Sequence, residues 1–79
     1  MTQLVLYTTS HCHLCEQALS LLIELKHHYA INWISKEISD DDSLIERYGI
    51  KIPVIQRIDN HSELNWPFCA DDIVKLISV

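Results

Sequence analysis

Leu4-Val5-Leu6-Tyr7-Thr8-Thr9-Ser10-His11-Cys12-His13-Leu14-Cys15 is the stretch on which the fold turns. Leu4 to Tyr7 are apolar and β-prone, and their number suits a buried strand. Thr8-Thr9-Ser10-His11 is a polar turn. Beyond it Leu14, Ala18, Leu21, Leu22, Leu25 and Tyr29 recur at spacings of three and four, one apolar helical stripe. The expected helix runs from about residue 12 or 13 to about residue 28. Two cysteines three residues apart thus lie where a strand turns into a helix.

The rest of the chain alternates in the same way. Ile31 to Ile38 is rich in β-branched and aromatic residues and reads as a second strand. Ser39-Asp40-Asp41-Asp42 opens a second helix, with Ser39 and Asp42 spaced as a capping box. Leu44, Ile45 and Tyr48 give this helix its apolar face, and Gly49 a stop. Ile52 to Ile58, with Pro53 near its start, is a third strand. Asp59-Asn60-His61-Ser62 is a hairpin turn, and Glu63 to Asn65 a short fourth strand. After Trp66-Pro67-Phe68 comes a last helix, with Asp71 and Asp72 in its first turn and Ile73, Leu76 and Ile77 inward. The order β-α-β-α-β-β-α predicts an α/β fold, a four-stranded mixed sheet with three helices. Strands joined through a helix are expected to be parallel, and the last two antiparallel.

At 79 residues the chain fits one domain, 1–79. Its net charge is −5, and its six Lys and Arg are scattered, so no basic stripe exists to neutralise phosphates. Nucleic acid is not an expected partner. No apolar run approaches the roughly 20 residues of a membrane span. Met1 to Tyr7 lack a basic region and a cleavage site, so no signal peptide is expected. Three cysteines, Cys12, Cys15 and Cys69, form an odd set that does not suit a secreted disulfide scaffold. A cytoplasmic monomer is expected.

The thiolate is the reactive form of cysteine, and helix N-termini favour negative charge. Cys12, at or before the first helical residue, gains most and is the candidate nucleophile. Cys15, one turn in and more covered, is the candidate resolving thiol. Residues three apart on a helix bring their sulfurs within reach. Two readings stand for His11 and His13. A protonated imidazole stabilises the Cys12 thiolate, or both point to solvent and act weakly. A C-x-x-C is also half of many zinc sites. Cys69 and one of His11, His13, His27, His28 or His61 would have to complete it, and no second close pair appears. Cys69 itself is read as a small half-buried residue, with a third redox role as the alternative.

Three blocks resemble the thioredoxin superfamily, and more closely the compact bacterial glutaredoxin-like proteins. They are Leu6 to Glu16 with its C-x-x-C, then Tyr48-Gly49-Ile50-Lys51-Ile52-Pro53-Val54, then Leu64-Asn65-Trp66-Pro67. The resemblance implies a thioredoxin-like fold of glutaredoxin type and a thiol–disulfide oxidoreductase. It implies a cis Pro53 beside the C-x-x-C, with Ile52 offering backbone groups to an extended peptide or glutathione. It makes Asp71, in an acidic helix start, a substrate-binding candidate with His11, His13, Ile52 and Pro53. The expected partners are protein disulfides or low-molecular-weight thiols.

No bound cofactor or metal is expected, and glutathione is a candidate reductant. The chain departs from the dithiol pattern where glutathione approaches. His13 and Leu14 stand for Pro and an aromatic, no Lys precedes the motif, and Trp66-Pro67-Phe68 occupies the place of a Gly pair. Two other functions compete. One is a glutaredoxin-fold binding module with little turnover. The other is a metal or iron–sulfur binder using Cys12, Cys15 and Cys69.

Overall fold

Leu4 and Leu6 are buried, while Val5 and Tyr7, which alternate with them, face the other side of the sheet, the period of a strand. This is β1 (Thr2–Thr8) in the computed structural model, which describes residues 2–78. Of the expected domain, Met1 and Val79 lie outside the described residues. The elements follow as α1 (His13–Lys26), β2 (Ile31–Glu37), α2 (Asp42–Tyr48), β3 (Val54–Arg57), β4 (Glu63–Asn65) and α3 (Ala70–Ile77). The sheet order is β2-β1-β3-β4. The expected α/β architecture, with three helices and a four-stranded mixed sheet, is the one observed.

β1 pairs with β2 in parallel, from Thr2↔Ile31 to Thr8↔Glu37. β3 runs antiparallel to β1, with Tyr7 opposite Val54, and β4 runs antiparallel to β3. The expectation that helix-joined strands are parallel therefore holds for β1 and β2 but not across α2. Glu37 and Val54 both lie at the Thr8 end of the sheet. Seven helical residues rise only about 10 Å, whereas a seven-residue strand spans about 23 Å. The segment around α2 leaves and re-enters the sheet at one end.

The core lies on the face covered by α1 and α3. Leu4, Leu6, Ala18, Leu22, Leu25, Ile31, Ile55, Phe68 and Ile73 make one cluster, with Trp33, Trp66, Leu76 and Ile77 packed on it. Truncating a fully buried member such as Leu22 to Ala costs about 2–5 kcal/mol. Leu14 and Tyr29, expected in the α1 stripe, are instead 41% and 42% exposed. Cys15 and Leu19 carry the stripe with Ala18, Leu22 and Leu25, because the helix turns these positions to the sheet.

α2 also departs from expectation. Asp41, not Ser39, caps it, accepting from the Ser43 N–H at 2.9 Å and the Ser43 hydroxyl at 2.6 Å. Of its three apolar residues Tyr48 is buried, Leu44 half-buried, and Ile45 exposed. Gly49 closes it in right-handed helical geometry, where a Cβ would press on the Ile45 carbonyl oxygen. Among the described residues no helix is long and apolar enough to cross a membrane.

Candidate functional site

β1 ends at Thr8, and the chain must turn sharply to start α1 over the sheet. His11 makes that turn in the left-handed region, with φ of 61°. Histidine is among the residues enriched there. Cys12 follows as the N-cap of α1, in extended backbone geometry. Its sulfur accepts the Cys15 backbone N–H at 3.1 Å, and its carbonyl accepts the Glu16 N–H at 3.2 Å. The sulfur therefore meets an unpaired donor at the positive end of the helix.

Cys12 and Cys15 are joined as a disulfide, with Cα atoms 5.2 Å apart. The two environments differ. Cys12 is half-exposed, and Cys15 is 4% exposed. A cleft of about 170 Å³ opens on the pair, lined by Leu6, Thr8, Thr9, His11, Glu16, Leu19 and Ser35 besides the two cysteines.

Glu37, at the end of β2, ties the turn down. Its carboxylate accepts from the Ser10 N–H and hydroxyl, both at 3.0 Å, and from the Ser39 N–H at 3.2 Å. Donation by the Thr9 side chain, then by Ser39 and Ser10, pulls its carboxyl down to about 2. Nothing in the sequence near Glu37 signals this role. It follows only once the register sets Glu37 beside Thr8.

The other candidate residues are dispersed. His11 joins the two cysteines at the cleft. His13, the first residue of α1, is exposed, with Nδ1 3.7 Å from the Glu16 carboxylate, and does not line the cleft. Pro53 is buried, joined to Ile52 by a cis peptide bond, and its carbonyl accepts the Trp66 N–H at 3.2 Å. It precedes Val54, the partner of Tyr7, and so lies at the sheet end from which the Cys12 turn departs.

Ile52 departs from the expectation of free backbone groups. Its N–H already donates to the Tyr48 carbonyl at 3.1 Å. Asp71 is exposed on the first turn of α3 and outside the cleft lining. Asp72 rather than Asp71 closes that helix end, accepting the Cys69 N–H at 3.0 Å, which holds its carboxyl below the usual range.

Cys69 is exposed, not half-buried, because the N-cap position holds it at the surface. Among the described residues no three of His, Cys, Asp and Glu converge as metal ligands. Cys69 is not among the residues that line the cleft at Cys12 and Cys15. Trp66, also preceding a cis proline, and Phe68 meet edge to face at 5.0 Å and pack on the core.

The fold that carries this site recurs in known structures. Protein XcR50 from X. campestris is 33% identical, with a TM-score of 0.83 and 95% of each chain covered. Ne2328 from Nitrosomonas europaea is 25% identical, with a TM-score of 0.83, covering 95% of this chain and 89% of its own. Thioredoxin-2 of a malaria parasite, 17% identical, shares the fold with a TM-score of 0.70, covering 99% of this chain and 82% of its own. No curated protein matches the chain. The Glutaredoxin-like domain (DUF836) family matches residues 3–78, nearly the whole length, and the chain belongs to that family.

Proposed function

We propose that the protein is a thiol–disulfide oxidoreductase in which Cys12 is the nucleophile and Cys15 the resolving thiol. The observation that carries this reading is the asymmetry of the pair. One sulfur is half-exposed at a helix N-terminus and accepts a backbone N–H at 3.1 Å, while its partner is buried behind it.

In the reduced protein the Cys12 thiolate attacks one sulfur of a substrate disulfide. A mixed disulfide forms and the first substrate thiolate leaves. Cys15 then attacks the Cys12 sulfur, the Cys12–Cys15 disulfide forms, and the second thiolate leaves. Two electrons pass to the substrate, and two external thiols restore the dithiol. The helix N-terminus favours the thiolate at Cys12, the state both for attack and for leaving. The substrates on this reading are protein disulfides or low-molecular-weight thiols, met by a monomer in the reducing cytoplasm. Glutathione is a candidate reductant.

The binding-module reading is favoured by one observation. The Ile52 N–H, a donor an extended ligand would use, is committed to Tyr48. The Cys12–Cys15 reduction potential separates the two, measured by equilibration against glutathione buffers and thiol alkylation. A defined two-electron couple and turnover with an external thiol support the oxidoreductase. A couple that forms yet turns over with no thiol supports the binding module, and absence of any couple removes the redox reading.

A further inference from the structure

The lining of the Cys12 cleft holds one carboxylate, Glu16, and one imidazole, His11, and neither Lys nor Arg. Glu16 lies one turn after Cys12 on α1, its N–H bonded to the Cys12 carbonyl. Side chains on a helix lean toward its N-terminus, so this carboxylate reaches back toward the sulfur-bearing turn. It is 77% exposed, so a partner can reach it, and its carboxylate lies 3.7 Å from His13 Nδ1 on the same helix. On the far side of the turn stands Glu37, a second carboxylate, held by neutral donors at Thr9, Ser10 and Ser39.

None of the six Lys and Arg lines the cleft. Lys26 lies over Trp33, Arg47 over Tyr48, and Arg57 on Asp59. Lys36, on β2, and Lys75, in the last turn of α3, are exposed. Lys51 is exposed in the segment before Pro53.

We infer that the Cys12 cleft selects disulfides flanked by cationic side chains on a peptide or protein, with Glu16 as the specificity-determining residue. The inference rests on the oxidoreductase reading above. A carboxylate beside the attacked sulfur attracts Lys or Arg next to a substrate cysteine and repels acidic neighbours. It also disfavours glutathione disulfide, whose carboxylates outnumber its ammonium groups. The electron flow is that given above, with the peptide disulfide reduced and the Cys12–Cys15 pair oxidised.

The test uses three symmetric peptide disulfides, each with one cysteine flanked by Lys, Gly or Glu. The reduced protein, carrying Cys69→Ser so that only the Cys12–Cys15 pair can react, and dithiothreitol, a neutral dithiol, are each reacted with all three, and released peptide thiol is followed. The expected Lys-to-Glu rate ratio is roughly fivefold larger for the protein than for dithiothreitol at low salt, falling toward the dithiothreitol value in about 0.5 M NaCl. Glu16→Gln removes at least about half of that excess on the same electrostatic argument. A ratio equal to that of dithiothreitol, with the Gly peptide still reduced, overturns the inference and leaves the oxidoreductase intact. A preference unchanged in Glu16→Gln also overturns it. Failure to reduce any peptide, the Gly one included, overturns the oxidoreductase reading itself.

Discussion

Glu37 and Ser10 are 27 residues apart in sequence, yet the Glu37 carboxylate accepts both the N–H and the hydroxyl of Ser10 at 3.0 Å. This contact ties the Cys12 turn to the end of β2. The folded carboxyl is pulled down to about 2 from an ordinary 4.5. A depressed carboxyl pKa stabilises the fold above the unfolded value, and that contribution fades as pH falls from about 4.5 through about 2. In Glu37→Gln the urea midpoint should drop at neutral pH and the difference from wild type should shrink by about pH 2–3. A constant difference across that window would show that the ionised carboxylate does not hold the turn.

Arg57 links the β3–β4 hairpin to the last helix. It is nearly buried, donates to both Asp59 carboxylate oxygens at 3.0 and 2.6 Å, and donates to the Leu76 carbonyl at 2.9 Å. Arg57→Met keeps much of the apolar stem and loses these donors. It should cost about 1–3 kcal/mol, a Tm loss of at least about 4 °C for a domain this size. Hydrogen exchange should rise in the last turn of α3, and unchanged exchange there would show that the Leu76 contact does not hold the helix.

Tyr48 is the side chain that holds α2 to the sheet. Its ring stacks on Tyr7 at 4.3 Å, and its hydroxyl donates to the Glu63 carboxylate. Gln56 joins them, accepting from the Tyr7 hydroxyl at 3.0 Å and donating to Glu63 at 3.1 Å. Burial first, then Glu63, pushes the Tyr48 phenol up. A raised phenol pKa gives stability that is full below the unfolded value of about 10 and declines as pH climbs beyond it. Tyr48→Phe should cost about 1 kcal/mol at neutral pH and flatten the alkaline loss of stability. Tyr48→Ala should cost about 3–5 kcal/mol by emptying a packed site. Equal alkaline limbs in wild type and Tyr48→Phe would show that this phenol does not drive the loss.

The legible parts of the sequence were those with short-range physics. The apolar run at Leu4–Tyr7, the α1 periodicity and the Asp59–Ser62 turn each announce themselves within a dozen residues. Cys12 at the N-cap follows from the same local reading. Structure and sequence part where two local answers are nearly degenerate. Leu14 and Cys15 both fit a helical stripe, and only the packing of α1 on the sheet selects Cys15. Ser39 and Asp41 can both cap a helix, and the length of the turn after β2 selects Asp41. Glu37 was hidden for another reason. Its role depends on the β1–β2 register, and no residue within the turn specifies a partner so distant in sequence.

The unequal exposure of Cys12 and Cys15 sets the most direct test of the division of labour. If Cys12 attacks and Cys15 resolves, Cys15→Ser removes only the second step. That variant should accumulate a mixed disulfide at Cys12 when mixed with a peptide disulfide, visible as one added peptide by intact mass. Cys12→Ser leaves a thiol that is 4% exposed. It should form adduct at least tenfold more slowly, in keeping with the covered sulfur and its lack of the N-cap position. Cys69 is exposed and would confuse the count, so both variants carry Cys69→Ser. Equal adduct rates in the two backgrounds would remove the assignment of Cys12 as nucleophile, whatever the potential of the pair.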